Sequence, residues 1–132
     1  MSESIVSIRN LATHYPITGG WFGPTPVVRA LDNIDLEIKR GQFFGLVGES
    51  GSGKTTLGRA ILKAAPISAG KIIFHDGKKE FDINTLAKRD MLAFRRQAQL
   101  IFQDPYAALS PRMTVRDIIA EPLEVMKLTN SK

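Results

Sequence analysis

The stretch that most constrains the fold runs from Gly48 to Thr55 and reads GESGSGKT. It fits the pattern G-x-x-x-x-G-K-[ST], and a second threonine, Thr56, follows directly. Glycine at positions 48, 51 and 53 allows positive φ and lets backbone N–H groups come close to an anion, where a side chain would collide. The sequence therefore predicts a loop that binds phosphate.

The residues on either side of this loop support the prediction. Residues 43–47, FFGLV, form a continuous apolar run, which is typical of a parallel strand buried on both faces. After the loop, Leu57, Ile61 and Ala64 recur at helical spacing. A helix that begins at the loop adds unpaired N–H groups and the positive end of its dipole. Strand, loop and helix in this order predict a nucleotide site.

The chemistry of the loop assigns a role to each residue type. The Lys54 ammonium would reach the β- and γ-phosphates of the nucleotide, and the Thr55 hydroxyl would bind Mg²⁺. The residues of the loop predicted to bind the nucleotide are Gly48, Ser50, Gly51, Ser52, Gly53, Lys54, Thr55 and Thr56.

Composition excludes several other classes of protein. With 132 residues, 43% of them hydrophobic and 23% charged, the chain is expected to form one globular domain. No apolar run approaches the ~18 residues of a membrane span, and the first residues lack the basic and apolar segments of a signal peptide. The absence of cysteine excludes disulfides. The net charge of +5 comes partly from basic pairs spread along the chain, so nucleic-acid binding is not expected.

Alternating residues predict an antiparallel part of the sheet. Ile34, Leu36 and Ile38 alternate with acidic residues, as in a strand with one face on a core. A further short strand is predicted at 5–8, ending near Asn10. Two more are predicted at 71–74 and 81–83, and these two would pair with each other. Residues 71–74 and 81–83 are separated by a turn around Gly77.

Glycine and proline predict an exposed loop at residues 16–26, PITGGWFGPTP. Its Trp21 and Phe22 would either fold back onto the surface or anchor a partner. His14 and His75 stand alone in the sequence, so no metal site built from histidine is predicted.

The last third of the chain predicts two helices and one strand. Helical spacing of Ala87, Met91, Phe94 and Ala98 predicts a helix over residues 85–97 with this stripe in the core. Residues 100–102 form a second apolar run, a natural neighbour in the sheet for the strand at 43–47. Thr114 and Asp117 resemble a capping box that begins a helix, which Pro122 would kink or restart.

Three features together resemble one family, the ATP-binding subunits of ABC transporters. They are the loop GESGSGKTT, the stretch QLIFQDP that contains Gln103, and the aromatic Tyr15 after the first strand. Within that family the chain resembles the ATPase subunits of bacterial dipeptide and oligopeptide importers, through HYPITGGWFGPTPVVRAL, FFGLVGESGSGKTTLGRAIL and DPYAALSPRMTVRDIIAEPL.

The resemblance implies further roles. Tyr15 would stack on the adenine ring and Val28 would line that pocket. Gln103 would contact Mg²⁺ or the attacking water, which makes Lys54 and Gln103 the expected catalytic residues. The loop beyond Gln103 would lie against the membrane subunit.

The sequence also departs from the family pattern. After Gln103 it contains no LSGGQ-type signature, no apolar strand ending in Asp followed by a catalytic Glu, and no switch His. The expected fold class is therefore α/β, the P-loop NTPase core of an ABC nucleotide-binding domain with an antiparallel β subdomain and without its C-terminal half. Residues 1–103 would form the core portion and 104–132 the start of the helical subdomain. ATP binding without turnover and marginal stability or self-association are expected.

The function implied by the resemblance is ATP binding that drives import of peptides or similar small solutes. The expected partners are a second nucleotide-binding subunit, transmembrane permease subunits and an extracytoplasmic solute-binding protein, with the chain at the cytoplasmic face of the inner membrane. Two alternatives stay open: a soluble ABC-type ATPase that acts on nucleic acid or ribosomes, and a truncated product that binds nucleotide without a transport role.

Overall fold

A computed structural model describes residues 3–17, 26–104, 106 and 109–128. The strands are β1 (Ser4–Pro16), β2 (Val27–Lys39), β3 (Ala69–His75) and β4 (Glu80–Asp82), and the helices are α1 (Lys54–Ile61), α2 (Lys88–Gln97) and α3 (Val115–Val125). The four strands form one antiparallel sheet in the order β2-β1-β3-β4. The predicted antiparallel subdomain is thus present.

Strand β1 is longer than predicted because Asn10 lies within it and does not end it. The pairing with β2 shifts between Ile8–Leu36 and Leu11–Ile34, so that β1 has one extra residue there. Asn10 takes a φ of 48° at this bulge. Asparagine tolerates the left-handed region, and the bulge lets the strand continue to Pro16.

The alternation predicted for β2 is confirmed. Ile34, Leu36 and Ile38 are partly buried and pack against the core, whereas the acidic residues between them are exposed. The turn around Gly77 is also confirmed, with a φ of 94° at that residue. The Asp76 carboxylate accepts hydrogen bonds from the Lys78 and Lys79 amides, and these bonds hold its pKa below the ordinary value.

The core lies between the sheet and the first two helices. Its central aromatic cluster joins Phe74 of β3 and Phe81 of β4 to Phe94 of α2, with the Phe74 and Phe94 rings 5.3 Å apart at 79°. The largest fully buried side chains are Ile8, Leu11, Thr13, Ile72, Ile83 and Phe94. The Thr13 hydroxyl donates a 2.8 Å hydrogen bond to the Pro66 carbonyl, so this buried polar group is satisfied.

Helix α2 begins at Lys88, three residues later than predicted. Phe94 is fully buried, and Met91 and Ala98 are partly buried against the core as predicted. Ala87 is exposed because it precedes the helix as its N-cap. Its extended backbone takes it off the helical stripe.

Helix α3 begins with the predicted cap. The Thr114 hydroxyl oxygen accepts a hydrogen bond from the Asp117 amide at 3.2 Å and lies 2.7 Å from the Asp117 carboxylate. The helix continues through Pro122 to Val125, so it does not restart at the proline. It contains no buried residue. At the C-terminal end of α3, the carbonyls of Met126 and Lys127 accept hydrogen bonds from Arg96 of α2.

The two predicted core strands at 43–47 and 100–102 are wrong for this structure. Both segments lack regular secondary structure, and Phe43, Val47 and Ile101 are almost completely exposed. A central strand requires hydrogen-bonded neighbours and covered faces. Among the described residues neither segment has a strand partner, so their apolar side chains stay in contact with water.

The predicted loop at 16–26 lies mostly outside the described residues, including Trp21 and Phe22. Its two ends are held together, since Tyr15 pairs with Val28 and the Ile17 amide donates a 2.8 Å hydrogen bond to the Pro26 carbonyl.

The part of the chain that the structure describes contains neither a membrane-spanning helix nor a cluster of metal ligands. No described helix is long and apolar enough to cross a membrane. Within the same residues no group of three or more His, Cys, Asp or Glu could hold a metal ion. His75 instead contacts the Glu80 carboxylate at 3.2 Å.

Candidate functional site

The loop before α1 has the backbone that its glycines predict at two of three positions. Gly51 and Gly53 take φ values of 83° and 89°. Gly48 does not take a positive φ, so that part of the expectation is wrong. A Cβ at Gly48 would lie 2.8 Å from the Ser52 hydroxyl oxygen, which is at the end of a side chain that can rotate away.

Helix α1 begins directly at the end of this loop. Gly53 is its N-cap in the left-handed conformation, and no side chain caps the helix. The first turn, which contains Thr55 and Thr56, has no acidic residue. The first amides of a helix have no partners within it and lie at the positive end of the dipole. This terminus therefore suits an anion.

The Lys54 ammonium lies within the loop. It donates hydrogen bonds to the Gly48 carbonyl at 2.8 Å, to the Glu49 carbonyl, and to the Ser52 hydroxyl at 3.1 Å. Three donors on one ammonium are therefore all used. The contacts hold the positive charge beside the loop glycines.

The end of the loop packs against strand β2. A Cβ on Gly53 would lie 2.6 Å from the Ala30 carbonyl oxygen and 2.9 Å from the buried Leu31 side chain. Only glycine fits at this distance, and only glycine readily takes this φ. The close contact fixes the start of α1 relative to the antiparallel sheet.

A cavity of about 450 Å³ lies where β2, the loop and the segment after α2 meet. Its lining residues are Val28, Arg29, Ala30, Ser50, Gly51, Gly53, Lys54, Thr55, Thr56 and Gln103. The structure thus brings Val28 and Gln103, which are far apart in sequence, to the predicted phosphate loop. Two lining side chains, Arg29 and Lys54, are basic, and none of the described lining residues is acidic, which favours an anionic ligand.

Three predicted residues lie beside this cavity and do not line it. Gly48 and Ser52 contact Lys54, as described above. Tyr15 is the direct cross-strand partner of Val28 and is 37% exposed. An accessible aromatic ring therefore lies next to the apolar end of the cavity.

A second cavity of about 440 Å³ adjoins the first and shares Lys54, Thr55 and Gln103 with it. Its other walls include Leu46, from the segment 43–47, and residues 100–102. The two apolar segments thus approach the start of α1 from both sides. Gln103 lies at the boundary between the two cavities.

Sequence reasoning missed Arg29 and Ala30. In a regular strand successive side chains point to opposite faces. If Val28 faces the site, this alternation predicts that Arg29 faces away from it. Arg29 and Ala30 nevertheless line the cavity, and no pattern in the sequence signals this.

Comparison with known proteins shows the family to which the chain is similar. A family model described as ABC transporter matches residues 31–131. The oligopeptide transport ATP-binding protein OppF of Streptococcus mutans is 53% identical over 110 residues, covering 83% of this chain and 34% of that protein. OppF of Bacillus subtilis is 40% identical over 136 residues, covering 100% and 40%. This chain therefore spans only about a third to two fifths of the length of these relatives.

A solved structure of an ATP-binding cassette is similar to this chain in its fold. The ATP-binding cassette MJ0796, a dimer in a post-hydrolysis state bound to ADP and Pi, matches with a TM-score of 0.74 and 26% identity. The match covers 96% of this chain and 50% of that chain. The antiparallel sheet and the phosphate loop thus fit a cassette fold. On the extent of the family match and the identity to both OppF proteins, the chain belongs to the ABC transporter family.

Proposed function

We propose that this chain binds ATP in the cavity between β2 and the phosphate loop. The single observation that carries the proposal is the convergence of Val28, Lys54 and Gln103 on one cavity with a helix N-terminus. The adenine ring would lie at the Tyr15–Val28 end, where an aromatic face is available for stacking. The phosphates would lie at the loop. Phosphate oxygens would replace the acceptors that now surround the Lys54 ammonium.

The same cavity fits Mg²⁺ as the companion ion of ATP. Mg²⁺ prefers oxygen ligands and is usually bound by one or two protein groups together with substrate phosphates. The Thr55 hydroxyl and the Gln103 side-chain amide oxygen are such groups, and both residues line the cavity. When bound, Mg²⁺ would neutralise charge on the phosphates. Gln103 would also orient the attacking water in the complete protein.

The proposed role of the metal predicts the behaviour of a Thr55→Ala variant. Its Kd for ATP should rise about tenfold in the presence of Mg²⁺ and by less than about twofold with EDTA, because one metal ligand of ordinary strength is lost. Thr55→Ser keeps the hydroxyl and is the matched control. Calorimetric titration with and without Mg²⁺ measures both values. Equal losses under the two conditions would show that Thr55 does not act through the metal.

We also propose that the complete protein uses ATP binding and hydrolysis to drive import of peptides or similar solutes. The named relatives are oligopeptide transport proteins, which supports this substrate class. The related cassette is a dimer, which supports a second nucleotide-binding subunit as partner. Permease subunits and an extracytoplasmic solute-binding protein would complete the system. The chain would then act at the cytoplasmic face of the inner membrane.

Cell fractionation tests this assignment. The protein should be recovered with membranes that contain permease subunits and be released when those subunits are deleted. Recovery with ribosomes or DNA, lost as salt is raised, would instead support an ATPase that acts on nucleic acid.

A further inference from the structure

Three consecutive residues of β2, Val28 to Ala30, line the proposed ATP cavity. Strict alternation would direct at least one of them to the opposite face of the sheet. Val28 and Arg29 pair in register with Tyr15 and His14, and one further residue of β2, Ala30, stands between Arg29 and Leu31, which faces Thr13. Ala30 is therefore an extra residue on β2, a β-bulge, and bulges change the direction of side chains beside binding sites.

The position of Arg29 within the cavity follows from its neighbours. Ala30 contacts the end of the phosphate loop, where its carbonyl lies against Gly53. Val28 lies beside the Tyr15 ring at the other end. Arg29 is thus placed between the end proposed for adenine and the end proposed for the β- and γ-phosphates. In ATP, the ribose and the α-phosphate lie between these two parts.

The Arg29 guanidinium is free to change partner. Its contact in the structure is with the Asp32 carboxylate at 3.4 Å, and the two side chains are 65% and 59% exposed. An exposed ion pair of this kind contributes little to stability. A guanidinium binds a phosphate through two parallel hydrogen bonds, which is a better match than this single long contact.

We propose that Arg29 binds the α-phosphate of the nucleotide and that Asp32 competes with the nucleotide for this guanidinium. The proposal rests on the proposed ATP site and adds to it a further phosphate-binding residue. Because ATP and ADP share the α-phosphate, Arg29 contributes equally to the affinity for both. Lys54, at the loop, sets the affinity for the phosphates beyond it.

The main test is the binding of ATP and ADP to an Arg29→Ala variant of the protein as its gene encodes it. Both Kd values should rise by the same factor, about tenfold, which is the usual order for one charge-assisted hydrogen-bonding group. Arg29→Lys should recover part of the loss. The matched control is Arg9→Ala, which removes an equally exposed arginine that pairs with Glu37 at 3.7 Å outside the cavity. Its Kd values should equal those of the unmodified protein.

Asp32→Asn tests the competition. This variant should bind ATP about two- to threefold more tightly because the guanidinium loses its weak exposed partner. In an Arg29→Ala background the same change should have no effect. A gain that persists without Arg29 would mean that Asp32 simply repels the nucleotide, and would overturn the competition.

The outcomes distinguish a failure of the Arg29 proposal from a failure of the proposed ATP site. If Lys54→Ala loses ATP binding while Arg29→Ala binds within about twofold of normal, Arg29 has no such role and the ATP site stands. A loss for ATP without a loss for ADP would overturn the α-phosphate assignment. If the unmodified protein binds neither nucleotide, the proposed function itself is wrong.

Discussion

A Lys54→Ala variant is expected to lose ATP binding, with a Kd raised at least ~100-fold, the order expected when a cation with several charge-assisted hydrogen bonds is removed. The physical reason lies in the position of the ammonium, which is held at the loop glycines by the Gly48 carbonyl and the Ser52 hydroxyl. Without this charge, the phosphates would have only backbone amides and the helix dipole as donors. Equilibrium titration with ATP measures the effect.

The control for this variant is Lys71→Ala. Lys71 is also exposed and pairs with Asp82 at 3.4 Å on the sheet, away from the cavity. Its removal lowers the net charge by the same amount, so it corrects for a general electrostatic effect. We expect its affinity for ATP to be normal. Equal losses in both variants would show that Lys54 acts through overall charge alone.

A Gly70→Ala variant is expected to lose more stability than the same change at any other glycine that the structure describes. Gly70 has a φ of 82°, and an added Cβ would lie 2.2 Å from the Asn10 carbonyl oxygen and 2.6 Å from that of Arg9. Both neighbours are backbone and cannot rotate away. The combined strain should cost about 3 kcal/mol or more in the free energy of unfolding. Urea denaturation followed by circular dichroism measures this change.

A Gly41→Ala variant separates the cost of the positive φ from the cost of the steric clash. Gly41 also has a positive φ, 73°, but no atom lies within 4 Å of an added Cβ. Its substitution should cost only the conformational strain, about 1–2 kcal/mol. If the two variants unfold at the same urea concentration, β1 and β3 do not approach each other at Gly70 as closely as described.

The sequence predicts the antiparallel sheet well because its signals are local. The alternation of Ile34, Leu36 and Ile38 fixes which face of β2 is buried, and a single glycine marks the turn at 77. The phosphate loop is predicted for the same reason, since its pattern is contiguous. Such features depend on short stretches of chain and survive whatever surrounds them.

The two strands that were predicted wrongly depended on signals that are not local. The segments at 43–47 and 100–102 have the composition of buried strands, but burial is a property of neighbours and not of composition. Within the described residues no strand lies beside them, and they remain exposed. The solved cassette is about twice as long as this chain. We expect strands that would pair with these segments to come from sequence comparable to its remaining half.

The bulge in β2 is another feature that the sequence does not predict, for a different reason. The pairing between β1 and β2 contains one extra residue of β2, Ala30, which lies between Arg29 and Leu31. No side-chain pattern records that register shift, because alanine at 30 suits a regular strand as well as a bulge. By contrast, the candidate residues Lys54 and Thr55 are fixed by a motif that carries its own backbone geometry.

The most direct test of the central claim is a titration of the isotopically labelled protein with ATP and Mg²⁺, followed by nuclear magnetic resonance. We predict that the amide signals of residues 28–30 and 50–56 and the side-chain amide of Gln103 shift together in one saturable transition. These residues come from three separate parts of the sequence and meet only in the cavity. Shifts confined to α2, which carries Lys88, Arg89, Arg95 and Arg96, or no shifts at millimolar ATP, would contradict the proposed site.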